Sequence, residues 1–169
     1  MASGDTLFVF TPADNEPPSS NFATLDTYAG ATGVRLVLDF DGSAANETAI
    51  FSGIWPAHYD GGGVNVTGWY SMDGTAATAI ELEYSVEVIQ DNDDTDAGGQ
   101  DFGTATSVAD TRATATANYV NKMSAGAISH ANCGSPAVGD AMRLKVTRDY
   151  DHAANTDDLQ LHRIVVTEQ

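Results

Sequence analysis

The twelve residues AIELEYSVEVIQ (79–90) decide how this chain folds. Ile80, Leu82, Tyr84, Val86 and Val88 recur at every second position, with Glu81, Glu83, Ser85 and Glu87 between them. A period of two places alternate side chains on opposite faces of an extended strand, whereas a helix repeats after about 3.6 residues. The segment therefore predicts a long half-buried strand with one apolar face and one acidic solvent face.

The same period runs outward from it. VNVTGWYSM (64–72) sets Val64, Val66, Tyr70 and Met72 against Asn65, Thr67 and Trp69. VRLVLDF (34–40) groups Val34, Leu36, Leu38 and Phe40. In AMRLKVTR (141–148), Met142, Leu144 and Val146 read inward and the bases outward. LQLHRIVVT (159–167) alternates but slips near Arg163, the signature of a bulge. Shorter strands are expected at 7–11, at 48–54 and within the Ala/Thr-rich 104–120. KMSAGAISHA (122–131) is the best short helical candidate.

Asp41-Gly42, the run from Asp60 to Gly63, Asp73-Gly74, Gly98-Gly99 and Gly139-Asp140 mark turns between these runs. About eight strands so punctuated predict an all-β, single-domain antiparallel β-sandwich, jelly-roll-like, over residues 1–169, with a closed barrel as the alternative. The prolines of NEPPSSN (15–21) cannot enter a central strand. Residues 1–22 are therefore expected to be an extended N-terminal arm or surface segment.

Twenty-four acids against seven bases give a formal net charge of −17. Such a chain repels a phosphate backbone, so nucleic acid is excluded as a partner. No run approaches the ~18 apolar residues of a membrane span, so no membrane partner is expected. The first residues carry no basic region before an apolar core, which predicts synthesis in a cytoplasm without export. Aspartate in excess and only two lysines suit a surface that stays soluble in salt. One cysteine, Cys133, excludes an internal disulfide and a cysteine zinc site.

QDNDDTDAGGQDF (90–102) holds five aspartates. A calcium loop would need oxygen ligands at fixed positions, a glycine sixth and a glutamate twelfth. Starting at Asp91 places Asp96 sixth and Phe102 twelfth; starting at Asp93 restores Gly98 but leaves Thr104 twelfth. Asp91, Asp93, Asp94 and Asp96 thus remain only as a looser calcium candidate beside the plainer reading, a solvated turn. No cofactor is expected.

Glu81 and Glu83 lie roughly 7 Å apart on one strand face, a spacing compatible with glycoside hydrolysis but shared by every alternating acidic strand. Trp55, His58 and Tyr59, with Trp69 and Tyr70, suggest a sugar-stacking platform. Adjacent strand residues point oppositely, however, so Trp69 and Tyr70 cannot share one. Cys133 and His130 lack a third orienting group, and a lone buried or interface thiol is the simpler reading.

Three stretches carry a resemblance: TLFVFTPADNEPPSSNFATLD (6–26), LDFDGSAANETAIFSGIWPAHYDGGGVNVTGWY (38–70) and VGDAMRLKVTRDYDHAANTDDLQLHRIVV (138–166). Together they resemble small β-sandwich virion proteins of tailed bacteriophages, many marine or environmental. The pattern spans most of the chain as strand edges and turns, and residues 130–136 depart from it. The resemblance implies a non-enzymatic capsid decoration (cement) protein on the virion surface, made in the host cytoplasm. The implied partners are the major capsid protein and further copies of the chain, a homotrimer being natural at a local three-fold. Chemistry nominates Pro12, Pro17, Pro18 and Phe22, with Ile54, Trp55, Pro56 and Tyr59, for the interface. The alternative is a carbohydrate- or receptor-binding module of a tail or fibre.

Overall fold

The computed structural model describes residues 4–30, 33–43, 45–94 and 102–169. Eleven strands follow one another among these residues: β1 (Thr6–Phe10), β2 (Thr24–Gly30), β3 (Gly33–Phe40), β4 (Glu47–Ile54), β5 (Val64–Met72), β6 (Ile80–Ile89), β7 (Thr106–Asp110), β8 (Asn121–Lys122), β9 (Gly126–Ile128), β10 (Ala141–Asp149) and β11 (Leu159–Glu168). The larger sheet runs β2-β3-β11-β5-β8, with β1 beside β11 and β9 beside β5; the smaller runs β4-β10-β6-β7. All ladder pairings are antiparallel, and the two sheets form a jelly-roll-like β-sandwich.

The β6 register explains why residues 79–90 control the fold. Val88, Val86, Tyr84 and Leu82 lie opposite Met142, Leu144, Val146 and Arg148 of β10, so both strands present one face to the core. Leu82, Tyr84, Leu144 and Val146 are fully buried there, and burying each aliphatic side chain contributes about 1.5–3 kcal/mol. Their partners across the sandwich are Val64, Val66, Tyr70 and Met72 of β5 with Leu159, Leu161, Ile164 and Val166 of β11.

Several sequence expectations change. The outer face of β6 is not wholly solvated: Ser85 and Glu87 are buried, and Glu87 accepts from Arg143 at 3.0 Å. Phe102 lies on this side, with Lys145 Nζ 4.7 Å from its ring. The bases of β10 do not all face outward. Arg143 and Lys145 do, but Arg148 shares the parity of Leu144 and Val146 and is 1% exposed. Residues 122–131 form β8 and β9 rather than a helix, because they pair with the free side of β5. There Gly126 passes so close that a Cβ would sit 2.8 Å from the Tyr84 ring. Of residues 104–120, only β7 is strand. The slip at Arg163 is a register shift between Leu161 and Arg163.

Residues 4–22 do not extend as an arm. β1 pairs with β11, and residues 15–22 run along the edge of β4. Glu16 N–H donates to Ile50 O at 2.7 Å, and Thr48 N–H to Asn21 O at 2.8 Å. An uncovered strand edge invites foreign pairing, so the proline-rich stretch caps it. β2 is the strand that the sequence hides. Its residues TLDTYAG are all exposed or half-exposed, so burial imposes no alternation on them. No helix among the described residues is long and apolar enough to cross a membrane.

Candidate functional site

The outer face of the larger sheet, turned away from the core, collects the polar chemistry. Strand parity sets Trp69 and Ser71 of β5, Gln160 and His162 of β11, and Arg35 and Asp39 of β3 on it. Pairing between β3 and β11 stops at Leu38–Leu161. Beyond that point a helical turn, Pro12–Asp14, sits against both strands, and β3 departs. The departure leaves an open cleft of about 470 Å³. Trp69 and Val120 supply its apolar side chains, and Leu36 borders it from β3; Arg35, Arg163 and His162 supply its nitrogens; Thr11 and Pro12 close one end.

The polar groups beneath are fixed. Ser71 is 1% exposed; its hydroxyl donates to Gln160 Oε1 at 2.8 Å and lies 2.8 Å from His162 Nε2. With the hydroxyl proton so engaged, His162 Nε2–H is the donor to Ser71, and Nδ1 remains an acceptor. Burial, reinforced by the positive charge of Arg35, holds the His162 pKa below the ordinary imidazole value. The ring is therefore neutral at pH 7 and the arginines carry the positive charge.

At the other end of this face Asp39 Oδ1 is buried without a hydrogen-bond partner. Burial first, then the charges of Asp158, Asp26, Asp73 and Glu47, raise the Asp39 pKa from 3.8 to about 6. A carboxyl that binds its proton more tightly when folded gives stability that grows as pH falls through about 6, and that is lost as pH rises again. Asp39→Asn is expected to raise the unfolding midpoint at pH 8, and to leave it unchanged below about pH 3, where Asp39 is neutral both folded and unfolded. Denaturant melts across that range check it; parallel wild-type and variant profiles would refute the assignment.

The structure separates the residues singled out from sequence. Trp55 and Tyr59 are not surface groups: they are 1% and 6% exposed and pack in the core with ring centroids 4.4 Å apart. Pro12 is buried too, which leaves Pro17, Phe22 and Ile54 exposed and Pro18 and Pro56 half-buried. Tyr70 is core, so of the suggested platform Trp69, at 38% exposure, and His58 face solvent. His58 is exposed, with Nε2 3.2 Å from Thr6 O.

Asp91, Asp93 and Asp94 are exposed, and Asp93 Oδ2 accepts from Gln90 N–H in a local turn. Asp96 lies outside the described residues. The one three-residue group of ligand-type side chains among the described residues is Glu81, Asp149 and His152, with donor atoms within 4.8 Å of one another. It had no sequence signal, because Asp149 meets Glu81 only through the β6–β10 register. His152 Nδ1 lies 3.5 Å from Glu81 Oε2, which ties that carboxylate into an ion pair when the ring is protonated. Glu83 accepts from the Ser107 hydroxyl at 3.3 Å. Cys133 is fully buried, and burial pushes its thiol pKa up to about 12, the opposite of an activated nucleophile. His130 Nδ1 instead lies 2.9 Å from the Tyr59 hydroxyl.

No protein-family profile matches the chain, and no curated protein matches it. Solved structures do. A xylan-binding module, CBM15, is similar over 96% of this chain and 97% of its own, at 11% identity and a TM-score of 0.49. The Clostridium thermocellum xylanase 10B CBM22-1–GH10 structure, complexed with xylohexaose, is similar over 99% of this chain at 12% identity and a TM-score of 0.53. The structure of infectious bursal disease virus strain Gx is similar over 98% of this chain at 13% identity and a TM-score of 0.43. This chain spans only 29% of the xylanase chain and 32% of the viral one. At these identities the likeness is one of fold alone, a two-sheet antiparallel β-sandwich.

Proposed function

We propose that the chain is a non-enzymatic virion structural protein of the capsid-decoration type, seated on the phage head against the major capsid protein as a trimer. The observation that carries this reading is the β2–β3 hairpin. Leu25, Ala29, Val34 and Leu36 share the face that continues the core side of the larger sheet, because Leu25 pairs with Leu38, Thr27 with Leu36 and Ala29 with Val34. Leu25, Val34 and Leu36 are nonetheless 52%, 68% and 46% exposed. The hairpin therefore carries an apolar face that its own sandwich leaves uncovered. A two-stranded hairpin is marginal in water alone, and an apolar patch of this kind is what assembly buries. The resemblance of residues 6–26, 38–70 and 138–166 to phage virion proteins points the same way.

The test is particle occupancy. Purified virions are expected to hold the wild-type chain at a fixed high copy number in clusters of three. The double variant L25D/V34D is expected to stay folded but to lose occupancy by about tenfold or more. Absence of the wild-type chain from particles, or full occupancy by the variant, would overturn the reading. A second reading, a carbohydrate- or receptor-binding module of a tail or fibre, is favoured by one observation, the exposed Trp69 indole over a cleft with fixed polar groups beneath it.

A further inference from the structure

The chain has seven bases among twenty-four acids, and their placement is uneven. Arg112 and Arg148 are buried and bonded to backbone carbonyls. Arg143 pairs with Glu87, and both Arg143 and Lys145 lie over the Phe102 ring. The other three, Arg35, Lys122 and Arg163, surround Trp69. Arg163 and Lys122 are its cross-strand neighbours on β11 and β8, and Arg35 lines the same cleft from β3. All three are exposed, and among the described residues none is engaged by a carboxylate. Lys122 Nζ lies 5.8 Å from the indole centroid.

In a molecule of net charge −17, a patch of three unengaged cations around the exposed tryptophan is a local reversal of sign. Its purpose is legible from the chemistry. A flat indole offers one stacking surface, Val120 lines the cleft beside it, and guanidinium groups bind carboxylate or sulfate in a bidentate fork. We propose that the cleft binds an acidic saccharide. The apolar face of one sugar ring stacks on Trp69, and its carboxylate or sulfate is held by Arg163 and Arg35 with Lys122 at the rim. This rests on the binding-module reading of the cleft and adds the ligand's charge.

An acidic peptide is the weaker occupant. A peptide docks most readily along a free strand edge, yet β5 is paired on both sides, with β11 and with β8 and β9. Asp26 and Asp39 share this sheet face toward its other end, beside Gln160, where they favour sugar hydroxyls over a second anionic group.

Calorimetry on the full chain tests the proposal with four probes: hexagalacturonate, a sulfated hexasaccharide, neutral xylohexaose and hexaglutamate. An acidic hexasaccharide is expected to bind about tenfold or more tighter than xylohexaose, and to weaken as salt rises. The two acidic sugars distinguish carboxylate from sulfate, and tighter binding of either supports the site. Trp69→Ala and Arg163→Gln are each expected to weaken it about tenfold, with Arg35→Gln as a further variant and unfolding midpoints confirming that all three fold. If xylohexaose binds equally well and Arg163→Gln and Arg35→Gln change nothing, the anionic ligand is wrong while the binding-module reading survives. If no saccharide binds, both fail. If hexaglutamate binds as tightly as the acidic sugars, the saccharide assignment is overturned.

Discussion

Arg148→Met is expected to destabilise the protein by about 3–5 kcal/mol, the usual loss when one partner of a buried charged network is removed. The guanidinium donates to three backbone carbonyls: Phe40 O at 2.8 Å, Asn155 O at 3.1 Å and Asp157 O at 2.6 Å. It thereby ties the end of β3 to the turn that leads into β11. Its charge also faces Asp158, Asp41, Asp157 and Asp39. Methionine fills similar space but leaves carbonyls without their donor, and takes its charge away from Asp158, Asp41 and Asp39, while Asp157 keeps Arg112 at 3.4 Å. Lysine keeps the charge but loses the planar fork, so Arg148→Lys is expected to recover only part of the loss. Arg163→Met, at an exposed base, is expected to stay within about 0.5 kcal/mol of wild type. Denaturant unfolding of the three variants checks this; an Arg148→Met midpoint equal to that of Arg163→Met would refute the role.

The second large effect separates the two tryptophans. Trp55→Ala is expected to lose about 3–5 kcal/mol, as full truncation of a buried aromatic does. Its ring is edge-on to Phe8 at 5.6 Å and tilted against Tyr59 at 4.4 Å, and little of it reaches solvent. Phe8 in turn stacks on Phe10, and Phe10 on Phe51, so the indole links the aromatic chain that joins β1 to β4 with Tyr59 and, beyond it, His130. Trp69→Ala removes a ring that is 38% exposed on the outer face, and its effect on stability is expected to be about 1 kcal/mol or less. Thermal melts of both variants decide it. Equal losses would mean that Trp69 is a structural residue, and would remove its stacking face from any binding role.

The capping turns show how a local signal can be right for an incomplete reason. Asp41-Gly42 and Asp73-Gly74 read as turn dipeptides, yet neither glycine is needed for a left-handed backbone. A Cβ on Gly42 would lie 2.6 Å from Thr156 and Asp157 backbone atoms, and one on Gly74 would lie 2.2 Å from Asp157 Oδ1. Both glycines admit the same turn, residues 156–158, which is distant in sequence and pressed against them in the fold. Composition marked the turn, and only the partner's position explains the residue.

Sequence alone settled the class of the fold, because a period of two is imposed by backbone geometry and needs no partner to be visible. Residues 79–90 had to be a strand with Leu82, Tyr84 and Val86 on one face, and β6 is that strand. The same alternation places Arg148 on the core side, although its charge favours the solvent face. Three buried carbonyls reverse that preference, and they come from residues 40, 155 and 157. β2 was invisible because its residues bury nothing, so no periodicity was imposed on them. The cleft was invisible for a related reason. Arg35, Trp69, Lys122 and Arg163 belong to four strands, and no spacing along the chain relates them. They meet because β11 lies between β3 and β5, while β5 pairs with β8 on its far side. Strand periodicity is a local property of the chain, whereas which strands become neighbours is decided by how two sheets bury their apolar faces together.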